Sequence, residues 1–259
     1  MDVLVVKQSL NFKGEMMKYT VVTGASSGIG CATAIKLANL GYNLIIVARR
    51  THKLNELKSE INNKYPNIDV VVKPTDLSAK GEIEDLYQFI SKFELSMLLN
   101  IAGLGASGQI IDSDIEAYER MVDVNIRATM MLSQLFVKDY SDKAVQLINV
   151  SSAVGYLVAE NNVVYSASKF FINAFTQGLA NEMKNNKIQV KIFAPALTAT
   201  DFIGYTDQSN LPPYVKSVDE VTDYLLELIE SEYNIGLVNP KNDFVLTNKV
   251  LEELNGFGV

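Results

Sequence analysis

Short apolar runs alternate with longer amphipathic segments along most of the chain. Each run is four to six residues long and rich in β-branched side chains, a pattern typical of strands that are covered on both faces. The segments between the runs repeat their apolar residues at helical spacing. The predicted strands are 19–23, 43–48, 69–73, 97–100, 145–150 and 189–193. The predicted helices are 31–40, 53–64, 79–93, 115–138 and 166–185.

This alternation predicts a Rossmann-type α/β fold. Strand–helix–strand repeats form right-handed crossovers, which build a doubly wound parallel sheet in a three-layer αβα arrangement. Past residue 200 the pattern loosens, with a helix expected over 218–231 and a last strand over 243–247. No long linker divides the chain, so residues 16–259 are interpreted as a single domain. Residues 1–15 are treated as an N-terminal extension without an assigned role.

Composition and charge then narrow the classes of function. The 259 residues include 23 Lys and Arg against 30 Asp and Glu, and the resulting charge of −7 disfavours nucleic acid as a partner. No apolar run reaches the ~18 residues of a membrane span, and the first residues do not resemble a secretory signal. We therefore expect a cytoplasmic protein. Cys31 and His52 are the sole cysteine and histidine, so neither a disulfide nor a Cys/His zinc site is expected.

A glycine-rich turn, Thr23-Gly-Ala-Ser-Ser-Gly-Ile-Gly30, lies between the first predicted strand and the first predicted helix. Bare backbone and the free N–H groups of a helix start are suited to binding a pyrophosphate. The strand–turn–helix context therefore predicts a dinucleotide site. The expected contacts come from Gly24, Ser26, Ser27, Gly28, Ile29 and Gly30.

The same turn matches G-x-S-x-G, the nucleophile elbow of α/β-hydrolases. Those enzymes need an acid and then a histidine after the serine. No Asp or Glu lies between Ser26 and His52, so the ordered triad is missing. The sequence argues against a hydrolase.

The end of the second strand indicates which dinucleotide binds. NAD sites usually carry an acid about 20 residues after the glycines, to bond the ribose hydroxyls. Here the strand ends in Ala48-Arg49-Arg50, without an acid. Because a guanidinium bonds a 2′-phosphate with two parallel hydrogen bonds, we expect NADP(H) rather than NAD(H).

Candidate catalytic groups lie at the start of the helix that follows the fifth strand. Tyr165 and Lys169 are four residues apart, so their side chains share one helix face. A neighbouring cation favours phenolate, so we expect the pKa of Tyr165 to fall below its usual ~10. Ser152 follows the fifth strand, where it is placed to hydrogen-bond a substrate oxygen while Tyr165 exchanges a proton with it.

With these motifs in place, the sequence resembles the short-chain dehydrogenase/reductase family, in its single-domain branch. The resemblance spans residues 18 to about 202, with the motifs in the family's order and spacing. The matching positions are Thr23-Gly-x-x-x-Gly-x-Gly30, Asp76-Leu77, Asn100-x-Ala-Gly103, Val124-Asn125, Ser152, Tyr165-x-x-x-Lys169 and Pro195 to Thr200.

The resemblance implies a catalytic tetrad. Tyr165 would be the general acid in reduction and the general base in oxidation, with Ser152 orienting the carbonyl. Lys169 would bind the nicotinamide ribose and lower the pKa of Tyr165. Asn125 would hold the water that links Lys169 to solvent.

Further implied contacts concern the cofactor. Asp76 would contact the adenine amino group, and Asn100 the adenosine ribose region. Arg49 lies where members that prefer NADP carry a basic residue. The remaining expected cofactor contacts are Arg50, Leu77, Ala102, Thr198 and Thr200. The implied reaction is hydride transfer between nicotinamide and a carbonyl or alcohol carbon, and the alternative is a non-catalytic NADP-binding sensor or interaction module.

The substrate is expected to be a small carbonyl or alcohol compound. Ser152, Tyr156 and Phe202 are its predicted contacts, and residues 201–217 are a candidate lid with Gly204 as its hinge. The glycine-rich closing segment of tetrameric members is not evident. A homodimer or homotetramer is nevertheless expected, with the helices over 115–138 and 166–185 as the dimer contact.

Overall fold

One sheet forms the centre of the fold in the computed structural model, which describes residues 17–200, 202, 204 and 211–249. Within those ranges the sheet has eight strands in the order β3-β2-β1-β4-β5-β6-β7-β8, all parallel except β8. The strands are β1 Lys18–Thr23, β2 Asn43–Ala48, β3 Val70–Pro74, β4 Glu94–Asn100, β5 Gln146–Val150, β6 Gln189–Ala194, β7 Ile235–Val238 and β8 Phe244–Thr247.

Seven α-helices of the described chain connect and cover these strands. They are α1 Gly28–Asn39, α2 Thr51–Lys64, α3 Glu82–Ile90, α4 Ile115–Val122, α5 Thr129–Tyr140, α6 Val163–Met183 and α7 Val218–Glu230. The helices α1, α2 and α7 cover one face of the sheet, and α3 and α5 cover the other. Successive residues of a strand therefore enter opposite cores: Val21 packs on the α3–α5 side and Val22 on the α1–α2–α7 side.

The prediction of a doubly wound, three-layer α/β domain is confirmed, with differences at some element boundaries. The single helix expected over 115–138 is interrupted by a π-helical turn, Asp123–Ala128, between α4 and α5. The helix expected to begin at 166 begins at Val163, so Tyr165 lies in the first turn of α6.

The strand β7 was not predicted from the sequence. It has four residues and contains Gly236, so it lacks the clear apolar run of the other strands. A side chain at Gly236 would place its Cβ 3.0 Å from the ring of Phe244, so glycine is what lets β8 pack there. The last predicted strand, 243–247, is found as β8.

The chain reverses its winding between β1 and β4. It runs outward from β1 through β2 to β3 and then returns to β4 on the other side of β1. Ligands of open α/β sheets bind beyond the carboxyl ends of the strands at such a point. Thr23 and Asn100 end these two strands, so this is where a site is expected.

Two predicted segments fall wholly or partly outside the described residues. The N-terminal extension, 1–15, lies wholly outside them, and the candidate lid, 201–217, lies partly outside them. The last residues of that segment pair with the chain just before it, because Lys216 donates its N–H to the carbonyl of Leu197 at 2.8 Å and accepts one from Ala199 at 2.9 Å. Among the described helices, none has both the length and the apolar composition to cross a membrane.

Candidate functional site

A cavity of about 900 Å³ opens at the carboxyl ends of the parallel strands. It brings together residues that the sequence placed in separate motifs. The predicted residues that line it are Gly24, Ser26, Ser27, Gly28, Ile29, Gly30, Arg49, Arg50, Asp76, Leu77, Ala102, Ser152, Tyr165, Lys169, Thr198, Thr200 and Phe202.

The glycine-rich turn forms one end of this cavity by close approach of backbone to backbone. Gly24 has φ +72°, and a Cβ there would lie 2.9 Å from the Cα of Ala102. A Cβ on Gly30 would lie 2.4 Å from the carbonyl oxygen of Gly24. Both positions thus exclude any larger residue, and the first turn of α1 presents bare backbone to the cavity.

Thr23 fixes this turn against the end of β4. Its hydroxyl accepts N–H groups from Ile101 at 3.0 Å and Ala102 at 3.1 Å, and it donates to the carbonyl of Leu99 at 3.3 Å. The side chain is buried, so these bonds satisfy backbone groups that leave the sheet at the switch point. The turn and the loop after β4 are therefore held as one surface.

Two arginines border the far side of the turn. Arg50 donates from its guanidinium to the hydroxyl of Ser26 at 2.9 Å and to that of Ser27 at 2.8 Å. Arg49 lines the cavity beside Asp76. Although partial burial acts to raise the pKa of Asp76, hydrogen bonds from Ser78 and the charge of Arg49 bring it below its usual value.

At the opposite end of the cavity, the loop after β5 and the first turns of α6 bring three polar side chains together. Ser152 caps the short turn that follows β5, accepting the N–H of Val154 at 3.4 Å. Lys169 is buried, with its Nζ donating to the carbonyl of Val150 at 3.0 Å and lying 5.7 Å from the centre of the Tyr165 ring.

The pKa values of these groups differ from the sequence expectation. Burial raises the pKa of Tyr165 to about 12, although a hydrogen bond with Ser152 acts in the opposite direction. Burial also lowers the pKa of Lys169 to about 8. The predicted fall in the pKa of Tyr165 is therefore wrong for this structure, because loss of solvent around the phenol outweighs its hydrogen bond with Ser152. The phenol holds its proton at neutral pH.

Asn125 lies in the π-helical turn and is buried. Its amide accepts the N–H of Leu104 at 2.8 Å and donates to the carbonyl of Leu104 at 2.9 Å and to the hydroxyl of Ser168 at 3.1 Å. It therefore ties the cavity loop after β4 to α6. Its Oδ1 and the Nζ of Lys169 lie 3.5 Å and 3.7 Å from the point where a Cβ on Gly103 would be, so the two atoms face the same small space.

Comparison with known proteins identifies the family. A family model described as short chain dehydrogenase matches residues 18–210. The chain belongs to the short-chain dehydrogenase family. An uncharacterized oxidoreductase from Staphylococcus saprophyticus is 33% identical over 217 residues, which cover 81% of this chain and 91% of that relative. The chain is accordingly an oxidoreductase of this family.

Solved structures of the family resemble this short-chain dehydrogenase closely. One from Sphingobium yanoikuyae, in complex with NADPH, has a TM-score of 0.78 at 27% identity, covering 84% of this chain and 86% of that one. A bulky-bulky ketone specific alcohol dehydrogenase from Comamonas testosteroni has a TM-score of 0.77 at 26% identity, covering 85% and 86%. Structures below 25% identity include complexes with NADP and with NAD, so the fold alone does not indicate which of the two cofactors binds.

Three predicted site residues of this short-chain dehydrogenase are not among the described residues that line the cavity: Asn100, Asn125 and Tyr156. The side chain of Asn100 lies inside the sheet layer, donating to Asn149 at 2.9 Å and to Ser133 at 3.3 Å. The ring of Tyr156 packs on Ile192, Ala194 and the strand β7, with its hydroxyl buried. Asn100 was predicted from the Asn100-x-Ala-Gly103 motif and Tyr156 from the loop after Ser152, but strand and turn geometry point these side chains away from the cavity.

Other lining residues were missed by sequence reasoning. Asn162 and Ala159 line the cavity from the loop before α6, Leu197 from the loop after β6, and Thr75 from the end of β3. The position of Thr75, directly after a predicted strand, was a usable signal. The loop residues gave none, because their approach to the cavity depends on how the loop folds back.

Proposed function

We propose that this short-chain dehydrogenase is an NADP(H)-dependent enzyme that transfers a hydride between nicotinamide and a carbonyl or alcohol carbon. The main support for this proposal is the shared cavity: the glycine-rich turn lies at one end, and Ser152, Tyr165 and Lys169 lie at the other. A dinucleotide needs a pyrophosphate cradle and a reactive end within one continuous space. The small-molecule substrate would bind beside Tyr165.

The residues present fit a dinucleotide. Gly24 and Gly30 leave a cradle that any Cβ would fill, and α1 begins there without a side-chain cap on its N–H groups. When bound, the nicotinamide supplies or accepts the hydride at its C4. In reduction, the phenol of Tyr165 donates its proton to the substrate oxygen as the hydride reaches the carbonyl carbon. The hydroxyl of Ser152 orients that oxygen.

Proton resupply would come from Lys169. Its pKa of about 8 lets the buried amine gain and lose a proton near working pH, and its Nζ lies beside the Tyr165 ring. Asn125 would hold the relaying water, because its Oδ1 faces the same space as that amine. In oxidation these proton transfers run in reverse, and Tyr165 must first lose its proton. With its pKa raised to about 12, the resting phenol is in the protonated form that reduction requires.

The preference for NADP(H) rests on the arginine cluster. Arg50 already bonds both serines of the turn, so a 2′-phosphate would meet one guanidinium and two hydroxyls as donors. Arg49 is the second cation at this end, and Asp76 is held ionised, where it would contact the adenine amino group. No carboxylate lies at the end of β2 to repel a phosphate.

A thermal-shift titration with NADPH and NADH tests the cofactor. A ligand at 100 times its Kd adds ~2.7 kcal/mol of stability, so we expect a clear rise in Tm with NADPH and a smaller one with NADH. Arg50→Ala should weaken NADPH binding about tenfold or more while leaving NADH binding unchanged. Arg49→Ala measures how much the second cation contributes to NADPH affinity. Lys53→Ala, on the exposed face of α2, is the control. Equal shifts with both cofactors would refute the NADP preference.

Turnover is tested with Tyr165→Phe, which keeps the ring and removes the proton donor. We expect wild-type enzyme to consume NADPH with ketones and aldehydes, and the variant to lose that activity while binding NADPH normally. Substantial activity in Tyr165→Phe would refute the proposed acid. A wild-type protein that binds NADPH but reduces no carbonyl compound would instead favour the non-catalytic sensor.

We also propose a homodimer through α4, α5 and α6. Met130 on α5 and Phe170 on α6 are exposed, as apolar side chains at a subunit contact would be in a single chain. Sedimentation equilibrium tests this, with Phe170→Asp expected to shift the protein to monomer. A monomeric wild-type protein would contradict the proposal.

A further inference from the structure

The aromatic ring of Phe202 lies across the reactive end of the cavity. It contacts the Tyr165 ring with centroids 5.7 Å apart and the planes at 51°. Its far edge lies on Gly105, where a Cβ would come 2.5 Å from Cζ and 2.8 Å from Cε1 of the ring. Phe202 therefore extends from the segment after β6 to the loop after β4, directly beside the phenol. About half of the residue is exposed, so the ring still has a free face.

The backbone conformation of Gly105 does not require glycine. Its φ is not in the left-handed region, so its own backbone would accept an alanine. The three atoms nearest to the position of a Cβ there all belong to the ring of Phe202. The two residues thus form a matched pair: because Gly105 has no side chain, the ring of Phe202 can pack against its backbone.

Charge is distributed unevenly between the two ends of the cavity. Of the described lining residues, Arg49, Arg50 and Asp76 are charged and lie at the glycine-turn end. At the reactive end the ionisable side chains are Tyr165 and Lys169, and Lys169 is buried against the carbonyl of Val150. The rest of the described lining there is apolar or uncharged: Leu104, Ala106, Ser107, Val154, Ala159, Asn162, Leu197 and Phe202.

The loops around this end also expose apolar side chains. Ile111 is 84% exposed and lies four residues after the lining residue Ser107. Val158 is 75% exposed and lies one residue before the lining residue Ala159. A hydrogen bond from Gly108 to the carbonyl of Asn161 at 2.8 Å ties the two loops together. The described lining here offers an entering ion no exposed charged side chain, since Lys169 is buried against the carbonyl of Val150. An apolar group needs no such partner.

We infer that the substrate is an uncharged carbonyl compound with an apolar substituent that packs against Phe202, and that Gly105 sets the position of this ring. The inference rests on the proposed function. Phe202 is here a specificity-determining residue, because it provides contact area and leaves the proton transfer to Tyr165.

Two matched ligands test the charge. Methyl benzoylformate and benzoylformate both present an activated ketone, but only the second carries a carboxylate beside it. We expect kcat/KM for the ester to exceed that for the anion by about tenfold or more. Calorimetric binding of both ligands to the enzyme with NADP⁺ measures the same preference without turnover. Equal or better use of the anion would overturn the inferred substrate class.

A double-mutant cycle tests the pair. Phe202→Ala should raise KM for methyl benzoylformate about tenfold with kcat nearly unchanged, since a packed aromatic contact is lost. Gly105→Ala should raise KM in wild-type protein, because it displaces the ring, and should have no further effect once Phe202 is alanine. Additive effects would overturn the role of Gly105, and an unchanged KM in Phe202→Ala would overturn that of the ring.

Controls separate this inference from the proposed reaction. Tyr233→Ala removes an exposed aromatic ring outside the cavity and the candidate lid and should leave KM unchanged. Thermal unfolding and NADPH affinity should match wild type in every variant. If the enzyme reduced the ester and Phe202→Ala left KM for it unchanged, the inferred role of Phe202 would be refuted while the proposed reaction would stand. If the ester bound in a way that depends on Phe202 but was not reduced, the proposed reaction would be refuted and the inferred binding site would stand.

Discussion

Two lysines are buried in the part of the chain that the structure describes, and they lie in different settings. Lys169, on α6, borders the cavity, whereas Lys191, on β6, is enclosed between the sheet and α7. Burial lowers the pKa of each to about 8, and for Lys191 the charge of Glu232 acts in the opposite direction. The lowered pKa by itself therefore does not distinguish Lys169 from Lys191.

Their hydrogen-bond partners do distinguish them. The Nζ of Lys191 donates to the carbonyls of Leu228 at 2.8 Å and Ser231 at 2.6 Å, so it closes the C-terminal end of α7. The Nζ of Lys169 donates to the carbonyl of Val150 and, within the described residues, to no other atom. An amine has three donors, so Lys169 keeps capacity for a ligand and Lys191 has little left. A perturbed pKa indicates function when the group also faces a cavity with unused donors.

The largest expected difference is in activity. Lys169→Met should lower kcat/KM for carbonyl reduction about 10²- to 10⁴-fold, because the proton resupply of Tyr165 is lost. Steady-state NADPH consumption measures this, and circular dichroism checks that the fold is retained. If the variant kept wild-type turnover, the cavity lysine would be as structural as the enclosed one.

The matched change at the other lysine should affect stability instead. Lys191→Met removes the donors that satisfy the last carbonyls of α7, so the free energy of unfolding should fall by about 1–3 kcal/mol. Urea unfolding gives this value, and kcat per folded molecule should be unchanged. A loss of activity comparable to that of Lys169→Met would erase the distinction between the two sites.

A smaller effect concerns pH. Between pH 8 and 10 the unfolded chain holds a proton on Lys191 that the folded chain lacks, so this lysine makes stability rise with pH. Lys191→Met removes that contribution, and the advantage of wild type over the variant should widen by about 1 kcal/mol per pH unit. Urea unfolding at several pH values measures it, with the exposed Lys53→Met as control. A constant difference would mean that the pKa of Lys191 is not lowered.

The sequence determined the fold class and most of the site. Runs rich in Val, Ile and Leu, such as β2, are short and continuously apolar, and these two features favour a parallel strand covered on both faces over a helix. The glycine turn and the Tyr165–Lys169 pair were recognisable because their geometry is local: a strand–turn–helix junction and one helix face fix it. Short elements such as β7 were missed, since four residues with a glycine carry little periodic signal.

Tertiary structure alone decided which side chains face the cavity and how their protons are held. Asn100 belongs to a predicted motif and Tyr156 follows Ser152 by four residues, yet the packing of β4 and of the turn after β5 directs both side chains into the interior. The pairing of Phe202 with Gly105 joins positions nearly a hundred residues apart. The pKa of Tyr165 rose because burial depends on everything packed around it, whereas the sequence shows only its neighbours on the helix.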